Sequence, residues 1–179
     1  MRKARSLPFK RLATSRASRH EMVDVVSPEV RSRMMSGIRG KDTKPELMIR
    51  SSLHRAGFRY RLHARELPGK PDMLFPRYGA ALFIHGCFWH GHGPDCNLFR
   101  WPQSREDFWR EKIRKNVERD DAQIRSLLEL GYRVGTIWEC ALKGRQRLPL
   151  DVVIWLCSDW LRASDSRLDI HGHQTRSSI

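Results

Sequence analysis

Ala80-Ala-Leu-Phe-Ile84-His85-Gly-Cys87-Phe-Trp-His90-Gly-His92-Gly-Pro-Asp-Cys96 is the stretch from which the chain is best read. Its first five residues are all apolar, which predicts a central strand buried on both faces. From Cys87 to Cys96, two thiols and two imidazoles then fall within ten residues. Thiolates and neutral imidazoles are the preferred donors for Zn²⁺, which takes four ligands tetrahedrally when structural. Gly91, Gly93 and Pro94 let the loop wrap an ion, and Cys140 follows a later predicted strand. A loop giving three ligands and a distant strand end giving the fourth make the set Cys87, His92, Cys96 and Cys140. The competing reading is that these cysteines are small buried hydrophobes, the usual fate of a free Cys. Disulfides are the weaker rival, because the chain shows no export signal and a reducing compartment is expected. Cys157 sits on an apolar helix and is assigned to core packing.

Upstream, Gly69-Lys-Pro-Asp72 opens another short strand, Asp72 to Phe75, joined to the central one by a turn through Pro76 to Gly79. An Asp at a strand start, opposed by a polar residue on the neighbouring strand, can hold Mg²⁺ for phosphodiester cleavage, with substrate oxygens completing the shell. Alone, Pro-Asp is more often a turn. His85 and His90 shift that balance. His85 interrupts an apolar strand end, where a polar side chain needs a reason. His90 is placed to be a general base, since a neutral imidazole near pH 7 can take a proton from water. The bland alternatives are a core histidine for His85 and a spare metal donor for His90. Phe88 and Trp89, between Cys87 and His90, can stack on bases or wedge into a base step. Met35, in a basic segment, is a second wedge or a helix contact.

Further outward, Thr43-Lys-Pro-Glu46 reads as a capping box before Leu47, Met48, Ile49 and Leu53, with Gly57 as the stop. That box alone explains Glu46, which could also hold a metal-bound water. Ser27-Pro-Glu29 opens a short basic helix over Val30 to Ile38. Phe58, Tyr60 and Leu62 alternate with polar residues as a half-exposed strand. Ser104 to Leu130 is helical, in one or two pieces, Tyr132 to Trp138 is a strand and Leu150 to Leu161 an apolar last helix. The order α-β-β-β-α-β-α predicts an α/β fold, a mixed sheet flanked by helices. Trp101, Trp109, Trp138, Trp155 and Trp160 fit core faces.

At 179 residues there is room for one ordinary domain. Hydrophobic residues make up 40% and charged residues 30%, which disfavours wholesale disorder, and no apolar run is long enough to span a bilayer. The net charge is +14 and the pI near 10.5, so the partner is expected to be a polyanion, most simply nucleic acid. Residues 1–20 carry seven Lys and Arg and no acid, half of that charge. The division expected is a basic disordered tail over 1–22, a single domain over 23–162 and a polar, frayed tail over 163–179.

Four blocks, in order, then carry a resemblance: Gly-Lys-Pro-Asp72; Phe83-Ile-His-Gly-Cys-Phe-Trp-His90; Phe108-Trp-Arg-Glu-Lys-Ile-x-Lys-Asn116-Val-Glu-Arg-Asp120; and Trp138-Glu-Cys140-Ala-Leu. From about Ser32 to Trp160 the chain resembles the very short patch repair (Vsr) mismatch endonucleases. The resemblance implies a restriction-endonuclease-like fold with structural Zn²⁺, and Mg²⁺-dependent nicking of one strand 5′ of a T mispaired with G, the product of 5-methylcytosine deamination. It makes Asp72 the direct Mg²⁺ ligand together with the Ile84 backbone carbonyl, His90 the general base, His85 a phosphate or leaving-group partner and Glu46 an outer carboxylate. It makes Cys87, His92, Cys96 and Cys140 the zinc set, and Phe88, Trp89 and Met35 the side chains that open the duplex. It implies a cytoplasmic, nucleoid-associated bacterial monomer acting on double-stranded DNA, with downstream repair proteins as further partners and no membrane. The family often has Thr at the position of Ile84, and its histidine-rich run after His90 is interrupted here by Gly91, Gly93 and Pro94. Two rival readings stand beside it: a zinc-bearing DNA-binding module without catalysis, and a nicking enzyme of the same fold with another specificity.

Overall fold

The computed structural model describes residues 29–30, 33 and 41–172; the basic tail (1–22) and Met35 lie outside them. Of the expected basic helix, Glu29, Val30 and Arg33 are described, and all are helical. The elements that follow are α1 (Lys44–Arg55), β1 (Arg61–Leu62), β2 (Met73–Phe75), a 3₁₀ turn (Pro76–Tyr78), β3 (Ala80–His85), α2 (Glu106–Glu129), β4 (Arg133–Trp138), the one-turn α3 (Glu139–Leu142), α4 (Leu150–Arg162) and β5 (Arg167–Ile170). The strands form one sheet in the order β1-β2-β3-β4-β5. β1, β2 and β3 pair antiparallel, and β3, β4 and β5 pair parallel. This is the mixed sheet flanked by helices that the element order predicts.

The two-residue period of the strands sorts their side chains between two helical layers. Met73, Phe75, Ala80, Leu82 and Ile137 pack with Ile49 and Leu53 of α1 and with Val153, Cys157, Trp160 and Leu161 of α4. Ala81, Phe83 and Val134 point the other way, against Ile124 and Leu127 of α2. On β3 the second set continues to His85, so its imidazole emerges on the α2 face. By the same alternation Asp72, two residues before Leu74, also belongs to that face. α1 starts where the capping signal puts it. The Thr43 hydroxyl accepts from the Glu46 N–H at 3.4 Å, while the Glu46 carboxylate reaches back one residue further than usual, to the Asp42 N–H at 2.9 Å.

Three expectations need correction. The frayed end predicted from Ala163 contains β5, whose Ile170 is fully buried and pairs in register with Ile137. Its alternation is only four residues long, too short to stand out in a polar sequence. The strand through Phe58, Tyr60 and Leu62 shrinks to Arg61–Leu62, because Phe58 and Tyr60 pack on Phe75 before any pairing begins and Leu62 is exposed. Trp155 is 64% exposed, whereas Trp160 is 3% exposed. α4 is apolar over more of its circumference than its neighbours cover, and Trp155 lies on the uncovered side. In urea melts Trp160→Ala should therefore cost about 3–5 kcal/mol and Trp155→Ala less than about 1 kcal/mol. Equal losses would contradict this packing.

Candidate active site

Asp72, Glu46, Ile84, His85 and His90 all line one cavity of about 610 Å³ beside the ends of β2 and β3. Lys41, Arg65, Lys70 and Arg119 line it too, so a cationic wall surrounds three acids, Glu46, Asp72 and Asp120. An Asp72 carboxylate oxygen accepts the Ile84 N–H at 2.7 Å, which fixes the acid against the central strand. Burial raises the pKa of Asp72 to about 6, against the pull of that hydrogen bond, and the neighbouring Glu46 adds to the rise. Glu46 is itself pinned from behind. Arg50, almost wholly buried, donates to its carboxylate at 2.6 Å, pairs with Asp42 and stands 3.2 Å from His63 Nε2.

His90 Nδ1 lies 2.6 Å from an oxygen of Asp120 on α2. An imidazole whose Nδ1–H donates to a carboxylate presents the lone pair of Nε2 to its other side. Burial is the largest single influence and works against ionisation of Asp120, but the His90 hydrogen bond together with the electrostatic pull of His90, His85 and Arg119 outweighs it and leaves its pKa below the usual carboxylate value. The ring of His85 stacks on that of His90, centroids 3.9 Å apart and planes within 5°. Burial, then the neighbouring His90, pushes the His85 pKa down to about 3, so His85 is neutral at any working pH. Asp120 is a functional candidate that no motif of the sequence singles out. A signal was present, because Ile113, Val117, Asp120, Ile124 and Leu127 fall on one helical stripe, where a lone acid is out of place.

Beyond His85 the chain turns into the thiol loop. Donor atoms of Cys87, His92, Cys96 and Cys140 all lie within 4.8 Å of one another. This is the set expected from the sequence, and all four cysteines of the chain are free thiols. Backbone donors aim at the sulfurs, Cys140 N–H at Cys87 Sγ (3.3 Å) and Gly172 N–H at Cys140 Sγ (3.2 Å). The hydrogen bond shared with the Cys87 thiol, then the Gly172 N–H and His92, holds the Cys140 pKa well below the usual thiol value. Four soft donors, with N–H groups supporting an anionic sulfur, fit a metal ion. Gly91 lets the loop sit on α2. It takes a φ of +61°, and an added Cβ would stand 2.7 Å from Val117.

Phe88 and Trp89 are half-buried and meet edge to face at 5.1 Å. Trp109, expected in the core, instead joins them at 5.4 and 6.0 Å, with the Lys112 ammonium 5.9 Å from the Trp89 ring. Asn116 donates to the Trp89 carbonyl at 3.0 Å and holds this aromatic corner to α2.

The raised pKa of Asp72 has a sign that can be measured. A carboxyl whose pKa rises from its ordinary value to about 6 on folding binds its proton more tightly in the folded chain. Stability contributed by the protonated form is present at low pH and is lost as pH rises through about 4 to 6. Above that window the buried charge costs about 3 kcal/mol. In metal-free buffer Asp72→Asn should be the more stable chain at pH 8 by that order, with the gap closing at pH 4; a less stable variant at pH 8 would contradict it.

Comparison with known proteins agrees with this geometry. The family described as DNA mismatch endonuclease Vsr matches residues 23–98. The DNA mismatch endonuclease Vsr of Escherichia coli is 41% identical over 155 residues, covering 84% of this chain and 98% of that protein. The type II nicking enzyme V.XorIIP of Xanthomonas oryzae is 46% identical over 136 residues, 73% of this chain and 98% of that one. The type II nicking enzyme V.NmeAIP of Neisseria meningitidis is 44% identical over 124 residues, 69% and 87% respectively. With its restriction-endonuclease-like mixed sheet and a Cys₃His knot beside the acid-and-imidazole cavity, the chain belongs to the Vsr family of DNA endonucleases.

Proposed function

We propose that this chain is a Mg²⁺-dependent mismatch endonuclease that nicks one DNA strand 5′ of the T in a T:G mispair left by 5-methylcytosine deamination, and so initiates very short patch repair. The observation that carries the reading is the single cavity in which Asp72, Glu46, His85 and the His90–Asp120 pair meet under a cationic wall. A nuclease needs a hard-ion carboxylate, a base and phosphate-binding charge in one place, and a passive DNA-binding module needs only the last.

Asp72 and the Ile84 carbonyl are the Mg²⁺ ligands, with Glu46 as the outer carboxylate; the ion, when bound, neutralises charge developing on the scissile phosphate. His90 takes the proton of the attacking water on Nε2, and Asp120 stabilises the resulting imidazolium through Nδ1–H. Neutral His85 adds no repelling charge to that stack and donates to a phosphate oxygen. It is a positioning donor, since a group with a pKa near 3 supplies no proton to a leaving oxygen at neutral pH. Lys41, Arg65, Lys70 and Arg119 neutralise phosphates around the cut, which makes affinity fall with salt. Phe88, Trp89 and Met35 open the duplex, and Trp109 backs the first two. Unstacking costs a few kcal/mol and less at a mispair, which supplies part of the selectivity. Cys87, His92, Cys96 and Cys140 hold Zn²⁺, which ties the loop carrying His90 to the end of β4. Among the described residues no helix is long and apolar enough to cross a membrane. The expected setting is the bacterial cytoplasm, at the nucleoid.

Several relatives are named as type II nicking enzymes, which favours one second reading, the same chemistry with a different flanking sequence or mispair. Incubation with Mg²⁺ and duplexes that carry either T:G or a matched pair, with the flanking bases randomised, separates the two. T:G-dependent nicks on the T strand support the first. Cleavage of another mispair in preference to T:G supports the second, and cleavage of neither overturns both. His90→Ala should lower nicking by about 10²–10⁴-fold while DNA affinity stays within about threefold. Asp72→Ala should abolish nicking with the same retention of affinity, and full activity in either variant would refute the site. Because a metal must displace the Asp72 proton, Mg²⁺ affinity should fall about tenfold per pH unit below about 6. A flat profile from pH 7 to pH 5 would remove Asp72 from the metal shell.

A further inference from the structure

We propose that Asp169–Gly172, at the end of the chain's last strand, forms a latch that retains the metal of the Cys87–His92–Cys96–Cys140 knot by fixing two of its four ligands. The proposal rests on the reading of that knot as a zinc site. Its first contact is a backbone donor: the Gly172 N–H points at Cys140 Sγ from 3.2 Å. An N–H···S bond withdraws charge from a thiolate and holds its direction, as supporting hydrogen bonds around metal ligands generally do. The approach needs glycine. A Cβ at position 172 would stand 2.4 Å from the Cys140 carbonyl oxygen and 2.6 Å from that of Gln146, both backbone atoms that cannot swing aside. Any side chain there lifts the segment off the sulfur.

The second contact runs through Trp138. Its ring lies flat on the His92 imidazole, centroids 4.1 Å apart and planes within 13°. Its indole N–H donates to an Asp169 carboxylate oxygen at 2.7 Å, so Asp169 sets the plane on which His92 rests. The His171 ring closes on the same imidazole at 5.6 Å and 63°. Ile170, fully buried and paired with Ile137, anchors the segment between these contacts. Four consecutive residues thus give one apolar anchor and three groups aimed at the knot, though none of them belongs to the clustered set of four donors.

The test is zinc release from the full-length protein, followed with a colorimetric zinc indicator in excess chelator after one zinc per chain has been measured. Gly172→Ala and Asp169→Leu should each release zinc about tenfold faster or more, the scale of lost supporting contacts around metal ligands. Asp169→Asn keeps an acceptor for the indole and should stay within about twofold of wild type. Arg167→Ala, on the exposed start of β5 away from the knot, should leave release unchanged. Wild-type rates in both Gly172→Ala and Asp169→Leu, or equal acceleration in Arg167→Ala, would overturn the latch while leaving the zinc site intact. A wild-type chain without zinc would overturn both. If the substitutions prevent folding, ¹¹³Cd-substituted wild-type protein decides: a through-hydrogen-bond coupling from cadmium to the Gly172 amide proton is expected, and its absence with rapid amide exchange refutes the contact.

Discussion

The parallel pairing of β3 with β4 is the constraint on which the site depends. Its register sets Ile84 opposite Ile137 and His85 opposite Trp138. Two residues beyond the second pair lie Cys87 and Cys140, and the Cys140 N–H meets Cys87 Sγ at 3.3 Å. Fifty-three positions apart in sequence, the two thiols are therefore neighbours because the strands end together. A shift of one residue would turn His85 from the α2 layer to the α1 and α4 layer and separate the sulfurs, since strand side chains alternate. The carboxyl ends of parallel strands are also where open α/β sheets place their ligands, and cavity and knot both sit there.

From that register the knot and the reaction centre become one assembly. Trp138 stacks on His92 and meets His85 edge-on at 5.3 Å, while His85 stacks on His90. A continuous run of rings links His92, a proposed metal ligand, to the proposed base. α2 contributes the other half, with Asp120 on Nδ1 of His90 and Asn116 on the Trp89 carbonyl. The opposite wall carries a cost. Glu46 is buried and Asp72 half-buried; Arg50, the Asp42 N–H and the Thr43 hydroxyl relieve Glu46, and the Ile84 N–H relieves Asp72. Stability given up at a buried acid to keep a reactive pocket is a common trade in enzymes.

What could be read from residues alone follows from how local each signal is. The thiol loop was legible because its donors cluster within ten positions and their chemistry is specific. The start of α1 was legible because capping is set within four residues, at Thr43 and Glu46. Asp72 and His85 gained meaning only together, and the strand pattern around Ala80–Ile84 supplied the link. Asp120 was hidden by charge. α2 is studded with acids and bases that pair along its exposed side, such as Glu111 with Arg114, and one acid on the inner stripe does not stand out unless the stripe is traced first. Trp109 looked like core for the same reason, since helical spacing does not tell a buried ring from one at the rim of a cleft. β5 escaped because one buried residue, Ile170, carries it, and its pairing partner lies thirty-three positions away.

Among the described residues, three groups of side chains could hold an ion: the thiol knot, the His85–His90–Asp120 group and the Asp42–Glu46–His63 group, which Arg50 already fills with its own positive charge. The proposed metals belong to the first and, separately, to Asp72. Anomalous diffraction from crystals of the native protein soaked in Mn²⁺, recorded at the zinc and manganese edges, tests this most directly. Two peaks are predicted, zinc between Cys87, His92, Cys96 and Cys140, and manganese against the Asp72 carboxylate beside Ile84. Manganese among Asp42, Glu46 and His63 with none at Asp72, or no zinc between the thiols, would contradict it.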